Sequence, residues 1–157
     1  MSHVSALSMT VAEEELPMVK QVAEKLGLVF NEGQTSHKWY GRWVNDYGAD
    51  DAAYRQGIKP EDYGKCSHAL SVPGNPNAYE VGLVKTENNK YKFVFDFWAG
   101  GQGLCAHIGP KGEKLLQEIG TQRALNYSEK FGFKLESLTQ LDSKQMRIEI
   151  SKKSNLY

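Results

Sequence analysis

Apolar and polar residues alternate most clearly between Ala78 and Trp98. Two extended runs flank a polar turn at positions 86–89. The second run places its aromatic residues on one face and more polar residues on the other, because successive strand residues point to opposite sides. The aromatic face consists of Tyr91, Phe93, Phe95 and Phe97, and the other of Lys92, Val94, Asp96 and Trp98. This pattern predicts the central hairpin of a sheet, with the aromatic face in the core.

Two segments have the three- and four-residue spacing of amphipathic helices. The first is Glu13–Leu26, whose acidic start suits the positive end of a helix dipole and which Gly27 terminates. The second is Pro110–Gly132, whose middle is weakened by Gly120. Its expected apolar stripe consists of Leu115, Leu116, Ile119, Ala124, Leu125 and Tyr127.

Further strands are predicted on both sides of these helices. They are Val4–Val11, Leu28–Phe30, His68–Val72, and a terminal hairpin formed by Phe133–Leu141 and Gln145–Lys152. This order predicts an α+β fold: one antiparallel β-sheet of about five to seven strands, with two main helices packed on one face. The opposite face is then left open to bind something. We expect a single domain over residues 1–157, in which residues 31–65 form an irregular, insertion-like segment.

Composition excludes several classes of protein. The 157 residues are 40% hydrophobic and contain no long apolar run, so no membrane span is expected. Formal net charge is zero, which excludes a binder that relies on an overall basic field. The N-terminus lacks the features of a secretory signal, and two cysteines are too few for a disulfide framework. We therefore expect a cytoplasmic protein.

The segment His37–Trp43 interleaves aromatic residues with cations. Single-stranded nucleic acid is held in this way, with bases stacked on aromatic rings and phosphates paired with Lys or Arg. Further lysines lie at the hairpin tip and near the C-terminus. The expected nucleic-acid-binding residues are Lys38, Trp39, Tyr40, Arg42, Trp43, Lys85, Lys90, Lys92, Lys152 and Lys153. The alternative is that Trp39 and Trp43 pack into the core or a subunit interface.

Both cysteines occur in C-x-H pairs, Cys66 with His68 and Cys105 with His107. On strands, each pair would point to one side, and the four residues together would suit tetrahedral zinc. The spacing differs from that of common zinc sites, so two buried thiols and two unrelated imidazoles are the alternative. No metal or other cofactor is predicted.

Two other segments contain residues found in known sites. The run Gly100–Ala106 matches G-x-G-x-x-A, but no helix follows at the position that a dinucleotide site requires, so a flexible loop is the alternative. The irregular segment holds several carboxylates, which a solvated loop explains as well as metal or acid–base chemistry does. These are Asp46, Asp50, Asp51, Glu61 and Asp62. Because no catalytic signature is present, we expect a protein that is not an enzyme.

Several short blocks of the chain resemble the DUF1257 or Ycf35-like proteins of bacteria, phages and plastids. The blocks are Met1–His3, Tyr79–Gly82, Tyr91–Trp98, Gln122–Ala124 and Gly132–Phe133. The resemblance covers roughly the C-terminal two-thirds and the first few residues, but not Trp39–Lys65. It implies a small accessory protein with no assigned active site, and a phage origin in which the protein works in the host cytoplasm.

Three functions remain open from the sequence. The first is a non-enzymatic single-stranded DNA-binding accessory protein that serves phage replication or transcription, as a homo-oligomer with a polymerase or replication protein as partner. The second is a protein-interaction or assembly module without nucleic-acid binding, in which the strand edges at Val4–Val11 or Gln145–Lys152 pair between subunits. The third is a small metal-binding protein that uses the two C-x-H pairs.

Overall fold

A computed structural model describes residues 4–40, 62–141 and 145–152. The strands are β1 (Val4–Ala12), β2 (Val29–Glu32), β3 (His68–Ser71), β4 (Val81–Lys85), β5 (Lys90–Asp96), β6 (Phe133–Gln140) and β7 (Met146–Lys152). The helices are α1 (Leu16–Lys25), the short α2 (Cys105–Ile108) and α3 (Glu113–Lys130). A 3-10 turn, Glu13–Glu15, leads into α1.

Five strands form one sheet in the order β1-β5-β4-β3-β2, and all their pairings are antiparallel. The predicted central hairpin is confirmed, because β4 and β5 pair with each other and β1 flanks them. The α+β class and the mainly antiparallel sheet are confirmed as well.

The prediction of a single sheet is wrong for the terminal hairpin. Strands β6 and β7 pair only with each other among the described residues and form a second, two-stranded sheet. The large sheet ends at the edge strands β1 and β2, and the hairpin contacts helix α3 instead of either edge. An isolated hairpin has too little hydrophobic contact to be stable alone, so this contact with α3 is needed.

The main core lies on the aromatic face of the large sheet, as predicted. Phe93 and Phe95 are fully buried there, and Tyr91 is 4% exposed. The same cluster contains Val19 and Val22 of α1. It also takes Leu115 and Ile119 from α3 and Leu104 and Ile108 from the α2 region.

The opposite face of the sheet is partly covered, which corrects the expectation that it is open. Val4, Ala6 and Val94 form a second buried cluster with Tyr63, and Trp39 packs against it. Trp39 and Tyr63, which lie just before and just after the undescribed residues 41–61, therefore both pack on this face.

Arg123 joins helix α3 to the start of the chain. Its guanidinium donates hydrogen bonds to the Glu15 carboxylate at 2.8 Å and to the Thr10 carbonyl oxygen at 2.8 Å. The second Glu15 oxygen accepts a hydrogen bond from the Ala12 backbone N–H at 2.9 Å. Burial opposes ionisation of Glu15, but these hydrogen bonds and the Arg123 charge hold its pKa below the usual value.

Candidate functional site

The segment that precedes the undescribed region crosses the second face of the sheet at Gly82. The His37 ring lies so close to Gly82 that a Cβ atom there would be 2.4 Å from the ring's Cδ2. His37 is 5% exposed, and its Nδ1 is 3.2 Å from the carbonyl oxygen of Glu80. Its Nε2 has no hydrogen-bond partner among the described residues. Burial lowers the pKa of His37, because the charged imidazolium would lose its water.

Of the next three residues, Lys38 and Tyr40 are exposed and Trp39 is half-buried. Lys38 is exposed; its ammonium group donates a hydrogen bond to the Pro76 carbonyl oxygen. Trp39 is half-buried and meets the Tyr63 ring edge-on, with centroids 5.5 Å apart. Tyr40 is 36% exposed and lies 6.2 Å from the ring of Trp98. The packing of Trp39 favours the core alternative for that residue.

Buried Asp96 fixes the position of the Tyr40–Trp98 pair. One carboxylate oxygen accepts a hydrogen bond from the Tyr40 backbone N–H at 3.1 Å, and the other accepts one from the Trp98 N–H at 2.9 Å. Asp96 is 0% exposed, so a buried side chain on the second face holds both aromatic residues at this end of β5.

The other predicted cations do not gather around this pair. Lys90 lies at the opposite end of β5 from Asp96, about 20 Å away at the usual rise of a strand. Lys85 is paired with Tyr91 and Lys92 with Val84, so these two lysines point to different faces. Lys152 belongs to the separate hairpin. Arg42, Trp43 and Lys153 lie outside the described residues.

The two C-x-H pairs have separate partners. The Cys66 thiol donates to the Gln34 carbonyl oxygen at 3.2 Å, and His68 Nδ1 accepts from the Gly33 N–H at 3.0 Å. Cys105 and His107 lie on α2 rather than on a strand, and His107 Nδ1 is 2.9 Å from the Leu26 carbonyl oxygen. Within the described ranges, no group of three or more His, Cys, Asp or Glu residues is arranged to hold a metal ion.

The environments of the two cysteine thiols also disfavour the reactive thiolate form. Burial, followed by the charge of Glu80, raises the pKa of Cys66 to about 11. Burial, followed by the charges of Glu113 and Asp96, raises the pKa of Cys105. A thiol with a raised pKa has little thiolate at neutral pH, so neither cysteine has the environment of a nucleophile.

The glycine-rich loop is a left-handed turn. Four consecutive residues, Ala99 to Gln102, have positive φ values between 51° and 66°. The Tyr79 N–H donates a hydrogen bond to the Gly101 carbonyl oxygen at 2.9 Å. The Asn75 side-chain amide donates one to the backbone carbonyl oxygen of Gln102 at 3.2 Å. The long helix α3 begins only at Glu113. The loop therefore does not lead directly into a long helix, as a dinucleotide site requires.

Of the carboxylates predicted in the irregular segment, the structure describes only Asp62. Asp62 lies 3.6 Å from the Lys65 ammonium group in an exposed ion pair. Asp46, Asp50, Asp51 and Glu61 lie outside the described residues.

One surface was missed in the sequence, and we call it the C-terminal apolar surface. It consists of six large apolar residues of α3, β6 and β7 and the residues next to them, each more than 40% exposed. They are Tyr127 (64%), Phe131 (56%), Leu135 (44%), Leu138 (43%), Leu141 (50%) and Ile150 (41%). The Tyr127 and Phe131 rings lie 4.5 Å apart. Among the described residues, Val29 at 42% is the one other large apolar side chain that is as exposed, and Tyr40 follows at 36%.

The hairpin contributes to this surface through one of its two faces. Leu135 is paired with Ile150 and Leu138 with Ile148, so these four side chains share a face. Met146 and Ile148 line a groove against Leu116 and Thr121 of α3. The alternation of Met146, Ile148 and Ile150 was the available signal, but it predicts only that one face of the strand is apolar, not what covers it.

Comparison with protein-family models, with curated proteins and with solved structures finds no match. The resemblance to the DUF1257 or Ycf35-like proteins therefore stays a prediction. The described part of the chain also contains no helix that is long and apolar enough to span a membrane.

Proposed function

We propose that this protein is a non-enzymatic assembly module that binds another protein molecule through the C-terminal apolar surface. The observation that carries this proposal is the set of exposed apolar side chains on the last helix and the terminal hairpin, in which the Tyr127 and Phe131 rings contact each other and Leu135, Leu138 and Ile150 share one face of the hairpin. Large exposed apolar patches on a protein surface mark sites of interaction with proteins or membranes.

The chemistry of the surface suits a protein partner. Aromatic side chains such as Tyr127 and Phe131 are enriched in the cores of protein interfaces. Each square ångström of apolar surface removed from water contributes about 25 cal/mol, so covering half-exposed leucines and aromatic rings favours association. A formal net charge of zero leaves no overall repulsion between copies of the chain.

The test replaces one residue of the surface and measures association. Light scattering across a range of concentrations and affinity capture with tagged protein report binding to a copy or to another protein. Ile150→Gln should weaken the association by about tenfold or more, since it removes the contact of an apolar side chain at the surface. Val29→Gln is the matched control, because Val29 is 42% exposed on β2, outside the surface. A strictly monomeric protein that captures nothing would refute the proposal.

A second candidate function is binding of single-stranded nucleic acid, favoured by the Tyr40–Trp98 pair. Tyr40 is exposed, the two rings lie 6.2 Å apart at an angle of 50°, and Lys38, two residues before Tyr40 in the chain, is exposed as well. An exposed ring next to a cation is the arrangement on which bases stack. The spread of the other predicted cations over the molecule makes this candidate the weaker one.

Fluorescence anisotropy with a labelled oligonucleotide at two salt concentrations tests this candidate. If it holds, binding weakens as salt rises, and Tyr40→Ala lowers affinity by about five- to a hundredfold without unfolding the protein. Trp39→Ala is the comparison, because it should lower stability through the loss of packing against Tyr63 and Val94. Absence of binding at low salt would end this candidate.

A further inference from the structure

Strand β7 is the most regular free edge in the described structure. In the terminal hairpin, the register shifts between Leu135 and Ser137, so the extra residue lies on β6 and β7 continues without a bulge. In the large sheet, the edge strand β1 carries a register shift between Ala6 and Thr10, and the other edge, β2, spans only four residues. Bulges and shortness protect an edge from pairing with another chain, and β7 has neither protection.

The sequence of β7 is complementary to itself when it runs antiparallel to a second copy centred on Ile148. In that register Arg147 lies opposite Glu149 of the second copy, and the twofold symmetry repeats this pair. Ile148 meets Ile148, and Met146 meets Ile150, so apolar residues face apolar residues. Residues that are opposite each other in a strand pair share a face of the sheet. The charged pairs therefore lie on one face and the apolar pairs on the other.

Neighbouring registers lose this match. Centring the pair on Glu149 sets two carboxylates opposite each other, and centring it on Arg147 does the same with two guanidinium groups. A shift by a single position sets Ile148 opposite Glu149, which mixes the apolar and polar faces.

We propose that the partner of the C-terminal apolar surface is a second copy of this chain, joined by antiparallel pairing of β7 with β7 centred on Ile148. This inference rests on the proposed function and specifies its partner. The two hairpins then form one four-stranded sheet, β6-β7-β7-β6. On its apolar face Ile150 of each copy contacts Met146 of the other, which covers the β7 part of the C-terminal apolar surface, while Leu135 and Leu138 lie on the outer strands β6. A two-stranded sheet gains stability from added strands, so pairing stabilises the hairpin of each copy.

The test is charge reversal, with sedimentation velocity as the readout. Arg147→Glu sets two glutamates of each copy opposite two of the other, and Glu149→Arg does the same with arginines. Each variant alone should weaken self-association by about tenfold or more, because two attractive contacts become repulsive. An equimolar mixture of the two variants should associate as a heterodimer, because every charged pair then has opposite signs. The double variant Arg147→Glu/Glu149→Arg should associate as the wild type does. Both positions are exposed, so these changes leave the fold intact.

The outcomes separate this inference from the proposed function. Association that is indifferent to the single reversals, or that the mixture does not restore, overturns the β7 register while the apolar surface stands as the binding site. A wild-type chain that stays monomeric but captures another protein overturns the second copy as partner and keeps the assembly role. A monomer that captures nothing overturns both.

Discussion

At the scale of single residues, the clearest feature is the contact between His37 and Gly82. Because glycine has no side chain, the imidazole lies directly on the sheet, where it is 5% exposed. Sequence showed that His37 begins an aromatic and cationic segment, but it did not show that the ring packs on the sheet. Which residue lies against the His37 ring depends on the tertiary structure, because Gly82 is distant in sequence and no local pattern links the two.

His37 makes stability depend on pH. Burial lowers its pKa in the folded state, so the unfolded chain binds a proton more readily than the folded one. Its contribution to stability is complete above the usual histidine pKa of about 6.5 and falls as pH drops below that value, by up to about 1.4 kcal/mol per pH unit. Urea unfolding at pH 7.5 and pH 5.5 measures this loss.

The control for that measurement is His37→Gln. The variant should be less stable at pH 7.5 and should lose less stability between the two pH values, since the titrating group is gone. Equal losses in wild type and variant would show that His37 takes up its proton in the folded state without penalty, contrary to its burial.

At the scale of secondary-structure elements, periodicity predicted the existence and type of the long helices and strands. It placed the first strand at Val4–Val11 and the central hairpin correctly, because extended runs with alternating apolar positions are typical of strands. It did not place the terminal hairpin, because the strand pattern alone does not tell whether β6 joins the large sheet or packs on a helix. It also assigned Tyr127 to the buried stripe of α3, although that side chain is 64% exposed.

Two glycines in different elements should respond oppositely to alanine. Gly120 lies inside α3 with no atom near the position of a Cβ, so Gly120→Ala should stabilise the protein by about 0.5–1 kcal/mol through helix propensity. Gly82→Ala should destabilise it by about 1–3 kcal/mol, because the new methyl group collides with the His37 ring. Chemical denaturation of both variants measures the difference, and stabilisation by Gly82→Ala would contradict the observed packing of His37.

At the scale of the whole molecule, the charges and aromatic residues that suggested nucleic-acid binding do not converge. The Tyr40–Trp98 pair and the hairpin-tip lysines lie at opposite ends of β5, and Lys152 belongs to the other sheet. Convergence in space depends on topology, which composition and short motifs do not report. Exposure of the C-terminal apolar surface likewise appears only once the hairpin is placed against α3.

Hydrogen–deuterium exchange of the β7 backbone amides reports whether two copies of the chain pair through this strand. Wild type and Arg147→Glu are compared at the same concentration of about 100 μM, with β1 as an internal reference edge. If two copies pair through β7, exchange over Met146–Ile150 is slower in the wild type than in the variant, and exchange in β1 is the same in both. Equal exchange of β7 in the two proteins would show that β7 does not pair between copies.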